Sequence, residues 1–228
     1  MGISIRIATW FRSVAIVIGL VISVMPATAA DNALQKLTKT LNALSNGQHA
    51  GNLIVNGSFE EPVVGKGRYV TFATGKSFTG WQVIGAGSVS PISGDYANSR
   101  TTFNAQQGGQ WLDMTGPGSN STAGVQQTVP TQAGTQYELV FYVGNVVGGS
   151  FGTSSSIEVL VDGNSLGISR NDNNNPGRQS WGQVKLPITA NSNSTTIAFI
   201  SRDPPNDNSN GLDNVSLVPV QVEKVQAP

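Results

Sequence analysis

No cysteine occurs anywhere in the 228 residues, and that absence excludes disulfide staples, thiol catalysis and cysteine-built metal sites. Histidine is almost as scarce. His49 is the single one, and it falls in a linker without a fixed relation to any serine, so a Ser-His-Asp arrangement has no base to work with. Glycine-rich phosphate loops and helical zinc motifs are also missing. Charged residues make up only 11% of the chain, 13 basic against 13 acidic. Phosphate binding needs clustered Lys and Arg, so nucleic acid and anionic membrane surfaces are poor partners. Beyond Met25 no apolar run approaches the about twenty residues that span a bilayer, which predicts no transmembrane segment in the mature protein.

What is present begins with Arg6 and Arg12, an apolar run from Val14 to Met25, and Pro26-Ala27-Thr28-Ala29-Ala30. Charge, grease and small residues in that order read as a secretory signal over 1–30, so a secreted protein is expected, in the medium, at the cell surface or in the periplasm. Removing the two arginines leaves eleven bases against thirteen acids. Asn, Gln, Ser, Thr and Gly fill the places that charges would take. Such neutral hydrogen-bonding groups suit an uncharged polar ligand, and equally a surface that is simply polar.

Over 31–51 the residues Leu34, Leu37, Leu41 and Leu44 recur at spacings of three and four, with Gly47 as a stop. This predicts a short helical linker that serves as a spacer, docks on the domain or pairs with a copy of itself. From Asn52 the period changes to alternation broken by Gly, Pro, Asn and Ser, the pattern of an all-β sandwich over 52–218. Tyr137, Leu139, Phe141 and Val143 make the clearest inward row. Similar rows are Ile157, Val159 and Val161, then Val184, Leu186 and Ile188, then Ile197 and Phe199, then Val215 and Leu217. Asp162-Gly163 is a hairpin turn signal toward Leu166 and Ile168. With Leu53 to Val55, Gln82 to Ile84, Gln110 to Met114 and Val125 to Val129 the count is roughly nine strands, a jelly-roll or related sandwich. Three long connections, Gly85 to Gly109, Asn145 to Ser156 and Ser169 to Ser180, exceed ordinary hairpin loops and are candidates for function. Residues 219–228 have no core pattern and read as a flexible tail.

The segments NLIVNGSFEEP (52–62), GW (80–81), GGQWLDMTG (108–116), GVQQTVPTQAGTQYELVFYVGN (124–145), STTIAFIS (194–201) and GLDNVSL (211–217) occur in one order along the chain. That order resembles domain-of-unknown-function family 642, secreted cell-wall proteins. The resemblance implies a galactose-binding-like β-sandwich similar to carbohydrate-binding modules, and non-catalytic binding of wall polysaccharide, with other cell-envelope proteins as further partners. The chain departs from plant members in having one such domain and no cysteines.

Similar sandwiches place a calcium carboxylate pair where Glu60 and Asp213 stand, with Ser58 near enough to contribute a backbone carbonyl. The resemblance thus implies a structural calcium ion joining the first and last segments; ordinary turn hydrogen bonds are the alternative. For the ligand, aromatic faces and hydroxyl-bonding groups are wanted. Tyr96 and Arg100 in the long loop SGDYANSRTTF are candidates, as are Trp111 and Tyr142 on an outward sheet face, whereas Trp81 and Trp181 read as core. A glycosidase would need two carboxylates flanking one bond; Glu138 and Glu158 could share a sheet face, but they read far more simply as scattered surface acids. The expectation is a protein that is not an enzyme and that recognises extracellular or cell-wall polysaccharide. The alternative is a structural or adhesive matrix protein that binds proteins or itself.

Overall fold

The computed structural model describes residues 51–220 apart from 99, 117–121, 149–150, 174 and 205–208. The signal segment, the leucine-striped linker before Gly51 and the tail from 221 lie outside the described residues. No helix occurs among those described, and the chain forms an all-β jelly-roll sandwich. One sheet carries β1 (Phe72–Ala73), β4 (Ser88–Ser93), β7 (Gln110–Asp113), β14 (Gly211–Pro219), β9 (Gln136–Asn145) and β12 (Ser180–Thr189), in the order β1-β4-β7-β14-β9-β12. The second carries β11 (Asn164–Asn171), β10 (Ser155–Val161), β13 (Ser194–Ser201), β8 (Ala123–Pro130), β3 (Trp81–Gly85) and β2 (Ser77–Phe78), in the order β11-β10-β13-β8-β3-β2. A ribbon of β5 (Ala97–Asn98) and β6 (Thr101–Thr102) stands apart. From β7 onward the chain crosses between sheets at nearly every connection. Apart from the β10–β11, β2–β3 and β5–β6 hairpins, strands pair with partners distant in sequence, and every strand pairing is antiparallel.

Alternation decides which face each strand buries. In β9, Tyr137, Leu139, Phe141 and Val143 enter the core while Glu138, Val140 and Tyr142 face away. Ile157 and Val159 of β10, Ile197 and Phe199 of β13, and Val215 and Leu217 of β14 meet them in one buried cluster. Trp81 joins this core at 2% exposure, with Phe59 and Phe199 against its ring. The Asp162-Gly163 pair turns β10 into β11, both residues at positive φ, the geometry of a two-residue hairpin.

Leu53 to Val55 forms no ladder strand. Leu53 N–H donates to Leu217, Val215 N–H donates to Gly57, and the Asn52 side chain accepts from both Ile54 and Leu217. The segment thus occupies the edge of β14 left open where β7 stops pairing after Leu212. Asn56 and Phe59 at positive φ break the regular pattern that a strand would need. Leu166 and Ile168 are also exposed rather than inward, because β11 lies at the rim of its sheet.

Candidate functional site

The outer face of the first sheet carries the site. Leu112 and Leu212 point into the main core, so their neighbours Trp111, Asp113, Gly211 and Asp213 point the other way. Register then aligns Ser90, Asp113, Gly211, Gly144 and Trp181 in one row across β4, β7, β14, β9 and β12. The two glycines make room for the indole. A Cβ on either Gly144 or Gly211 would come within 2.9 Å of the Trp181 ring, so the sheet accepts that ring only where it has no side chain of its own.

The described residues 94–98 and 100–109 fold over this face and help to make a second, smaller apolar cluster. Ile92, Phe103, Trp111 and Val146 are buried in it, with Tyr96, Ala105, Phe151 and Trp181 packed around them. The indole nitrogens tie the loop down from below: Trp111 Nε1 donates to the Phe103 carbonyl at 2.8 Å and Trp181 Nε1 to that of Asn104 at 2.9 Å. Two carboxylates hold its far end. Asp213 Oδ2 accepts from the Gln106 and Gln107 N–H groups at 2.8 and 3.0 Å, and Glu60 Oε1 accepts from Gly109 and Gln110, both at 2.9 Å. The Gln110 amide continues the tie by donating to the Phe59 and Pro62 carbonyls.

Beside the cluster a cavity of about 230 Å³ opens between Tyr69, Tyr96, Phe103 and Phe151. Ile92 completes the apolar side, while Ser90, Asn98, Asp113 and Ser209 supply polar groups. The rings meet edge to face or tilted, with centroids 5.9 Å apart for Tyr69 and Tyr96 and 5.6 Å for both Tyr96 with Phe103 and Phe103 with Phe151. Such contacts fix their orientation before a ligand arrives.

The residues singled out from sequence distribute unevenly. Tyr96 lines the cavity, half-buried. Arg100 is exposed at the turn between β5 and β6 and is not part of the lining. Trp111 corrects the expectation of an outward stacking surface: it does point outward from the sheet, but the loop covers it completely, at 0% exposure. Tyr142 is half-buried elsewhere on that face, with its hydroxyl accepting from Gln183 at 2.7 Å. Trp181, expected in the core, is partly exposed at the loop's edge. Asp113, Phe103 and Phe151 are site residues that sequence reasoning misses, although the spacing of Trp111 and Asp113 around the inward Leu112 carries a signal for the first of them. Glu138 and Glu158 belong to different sheets, paired with Lys185 and Arg202 respectively, so they cannot flank one glycosidic bond.

Glu60 and Asp213 both clamp residues 106–110, and the Glu60 charge is felt at Asp213. Burial pushes the Asp213 carboxyl well above the ordinary carboxylate range, three backbone N–H donors oppose that rise, and Glu60 adds to it. Neither acid has an ion pair among the described residues. The hydrogen bonds described leave Glu60 Oε2 unused, so a hard cation would find an oxygen ligand there and would relieve the like-charge proximity. Among the described residues there is no group of three or more His, Cys, Asp or Glu able to hold a metal, so backbone oxygens would have to complete such a shell. Ser58, itself buried, is adjacent in the same segment.

The family model described as HpiC1-like, HpiC1 cyclase, matches residues 51–218. This chain belongs to the HpiC1-like family. Membership in family 642, which the order of motifs resembles, is not what the match shows. No curated protein matches the HpiC1-like chain. Among solved structures it is similar to a family 35 carbohydrate-binding module from Clostridium thermocellum, at 10% identity over 66% of this chain and 97% of that one, with a TM-score of 0.39. It is also similar to an isomalto-dextranase of Arthrobacter globiformis T6 complexed with panose, at 13% identity over 65% of this chain and 23% of that one, TM-score 0.41. An exo-beta-1,3-galactanase of Phanerochaete chrysosporium gives 18% identity, 68% and 29% coverage and a TM-score of 0.38. Likenesses this distant carry no activity to the HpiC1-like chain.

Proposed function

We propose that the chain is a secreted, non-catalytic carbohydrate-binding protein that takes a single sugar ring into the cavity between Tyr96, Phe103, Phe151 and Asp113. The observation that carries this reading is the mixture in the lining. Four aromatic rings offer faces and edges to the C–H side of a pyranose, while Ser90, Asn98, Asp113 and Ser209 meet hydroxyls. The volume of about 230 Å³ lies below the about 300–1,000 Å³ of sites for drug-sized ligands, so it suits a chain end of a polysaccharide rather than a run of residues.

Calorimetry with the methyl glycosides of galactose, glucose, mannose and xylose tests this directly. At least one is expected to bind, and Asp113→Asn is expected to weaken it about tenfold or more, since a charge-assisted hydrogen bond contributes about 1.5–3 kcal/mol. Arg100→Ala leaves the affinity unchanged. Failure of all four glycosides at millimolar concentration sinks the reading.

Family membership favours one second reading, catalysis of ring closure. A carboxyl group beside aromatic faces can give or take a proton, and the faces can stabilise a developing cation. An intramolecular ring closure that loses no group leaves mass unchanged. A new compound of unaltered mass and shifted retention, formed from a small-molecule extract by the protein and not by Asp113→Asn, would favour this second reading over the first.

Calcium at Glu60 and Asp213 belongs to the same proposal. Such an ion would link the first described segment to the last strand and add its binding energy to folding. At free calcium about a hundredfold above Kd the gain is about 2.7 kcal/mol, so chelation is expected to lower Tm by about 5–10 °C. An identical melting curve with and without chelator removes calcium from the account.

A further inference from the structure

Tyr69 differs from the other rings that line the cavity. It is 45% exposed, the one aromatic side chain among the exposed large hydrophobics of the described residues, and it belongs to neither apolar cluster. A ring left at the surface forgoes most of the stabilisation that burying its area would bring. Its main chain is nevertheless fixed. Residues 68–71 run beside β4: Tyr69 bridges to Ile92, the Ser93 N–H donates to the Arg68 carbonyl at 2.9 Å, the Val70 N–H donates to the Pro91 carbonyl at 3.1 Å, and the Thr71 and Ser90 hydroxyls meet at 3.0 Å. A side chain with no core of its own is thus carried on a held backbone to the lining of the cavity.

Among the described residues Tyr69 touches one other ring. Its plane lies at 79° to that of Tyr96, with the centroids 5.9 Å apart. An edge-to-face neighbour covers no more than one face of a ring, so Tyr96 leaves at least one face of Tyr69 open, and the exposure of the residue shows that the rest of the chain does not close it off. The cavity itself, at about 230 Å³, has room for a single sugar ring. The remainder of a longer glycan must therefore leave through its mouth, and Tyr69 is the lining ring that reaches out of the cavity into solvent.

We propose that Tyr69 is the platform of a second sugar subsite, on which the penultimate ring of a glycan lies while the terminal ring sits in the cavity. This rests on the sugar-pocket reading and deepens it, because it makes the ligand an oligosaccharide or polysaccharide end rather than a free monosaccharide. The penultimate ring is a pyranose that turns an apolar C–H face to the tyrosine and keeps its hydroxyls in water, so this subsite adds affinity by stacking and not by hydrogen-bond readout.

A platform for the second ring and a wall for the first differ in what their loss does. A wall weakens monosaccharide and disaccharide alike, whereas a platform removes only the extra affinity that the second ring supplies. Calorimetry on the full chain compares the methyl glycosides of galactose, glucose, mannose and xylose with those of the corresponding β-linked disaccharides, galactobiose, cellobiose, mannobiose and xylobiose. The wild type is expected to bind at least one disaccharide about five- to tenfold more tightly than its monosaccharide. Tyr69→Ala is expected to bring that ratio down to about one, whatever it does to the monosaccharide affinity itself, and Tyr69→Phe, which keeps the ring, to preserve it.

Equal weakening of both ligands in Tyr69→Ala makes the residue a wall of the cavity and overturns the proposal, as does a disaccharide advantage that survives without the ring. A wild type that binds monosaccharides and gains nothing from any disaccharide keeps the pocket and rejects the platform. A wild type that binds none of the eight glycosides removes the sugar reading, and the platform with it.

Discussion

Trp111→Ala is expected to cost about 3–5 kcal/mol of folding stability, the range for deleting a large buried ring, and to abolish ligand retention even at temperatures where the chain remains folded. The side chain is wholly enclosed, but by the loop rather than by the opposing sheet. It touches Phe103 in a stacked arrangement at 6.3 Å and Trp181 edge to face at 6.0 Å. Its N–H also holds the Phe103 carbonyl. Removing it withdraws the support under one wall of the cavity and leaves that carbonyl without its donor. Thermal unfolding should fall by about 6–20 °C, at about 2–4 °C per kcal/mol for a domain of this size. An equally costly truncation in the main core, Phe141→Ala, should spare affinity in whatever fraction stays folded. Equal loss of binding in both variants would mean that the pocket is not built on Trp111.

Asp203 gives the second large effect. Its carboxyl is pushed up from 3.8 to about 7, chiefly by burial, against the opposing pull of the Ser156 N–H and the Arg170 charge. One of its oxygens, Oδ2, is buried without a hydrogen-bond partner. The sign follows from comparing the two states. The unfolded chain ionises this acid from about pH 4 upward, whereas the folded chain holds the proton until about pH 7. Stability therefore falls as pH rises through that window and levels off above it. The cost is at most on the order of 4 kcal/mol, since each tenfold weakening of the acid corresponds to about 1.4 kcal/mol. Asp203→Asn keeps an oxygen for the Ser156 N–H, 2.5 Å away in the native protein, and carries no charge. It is expected to be more stable than the wild type at pH 8 and equally stable at pH 4. Asp213 shares the same direction, so the comparison is made between variant and wild type at each pH. Parallel stability curves for the two proteins would show that Asp203 ionises in its site without penalty.

The inward rows are readable because period-two alternation has one physical cause, a sheet with one face against a core. Tyr137 to Val143 and Ile157 to Val161 obey it, and Ile197 and Phe199 follow it although Ala198 between them is also buried. The rule fails where edges intervene. Leu166 and Ile168 alternate like core residues yet lie on a rim strand, and Leu53 to Val55 leans on β14 through side-chain and isolated backbone bonds instead of a ladder. The long stretch from Gly85 to Gly109 reads as connection, and it does supply Tyr96 and Phe103, but it also contains β4, whose SVSPIS carries proline and serines at buried positions. Its burial comes from a covering loop on one side and the core on the other, a circumstance invisible to local pattern. The same double covering conceals the true place of Trp111. Outward on the sheet and inward in the protein are opposite statements only when nothing lies on top.

The fold itself is legible from alternation and turn chemistry, while the pocket requires registers between strands far apart in the chain. Ser90, Asp113 and Gly211 are neighbours only because β4, β7 and β14 pair in that order. No spacing within a single segment announces such a row. Thr115 and Asp113, by contrast, are two residues apart, and the hydrogen bonds from Thr115 to the Asp113 carboxyl are open to inspection once Asp113 itself is recognised.

The arched segment over the sheet is staked at its distal end by acids drawn from opposite extremities of the fold, Glu60 near the beginning and Asp213 near the close, and both grip main-chain amides. Main-chain anchors are indifferent to the identity of the residues they hold. From Phe103 to Gln110 both the indole tethers and the acid stakes hold main-chain atoms, so an exposed side chain within that stretch, such as that of Asn104, can be exchanged without loosening the frame. The scaffold thus lends itself to diversification, whether by natural drift or by a library randomised at those positions, with new ligands accommodated on an unchanged foundation.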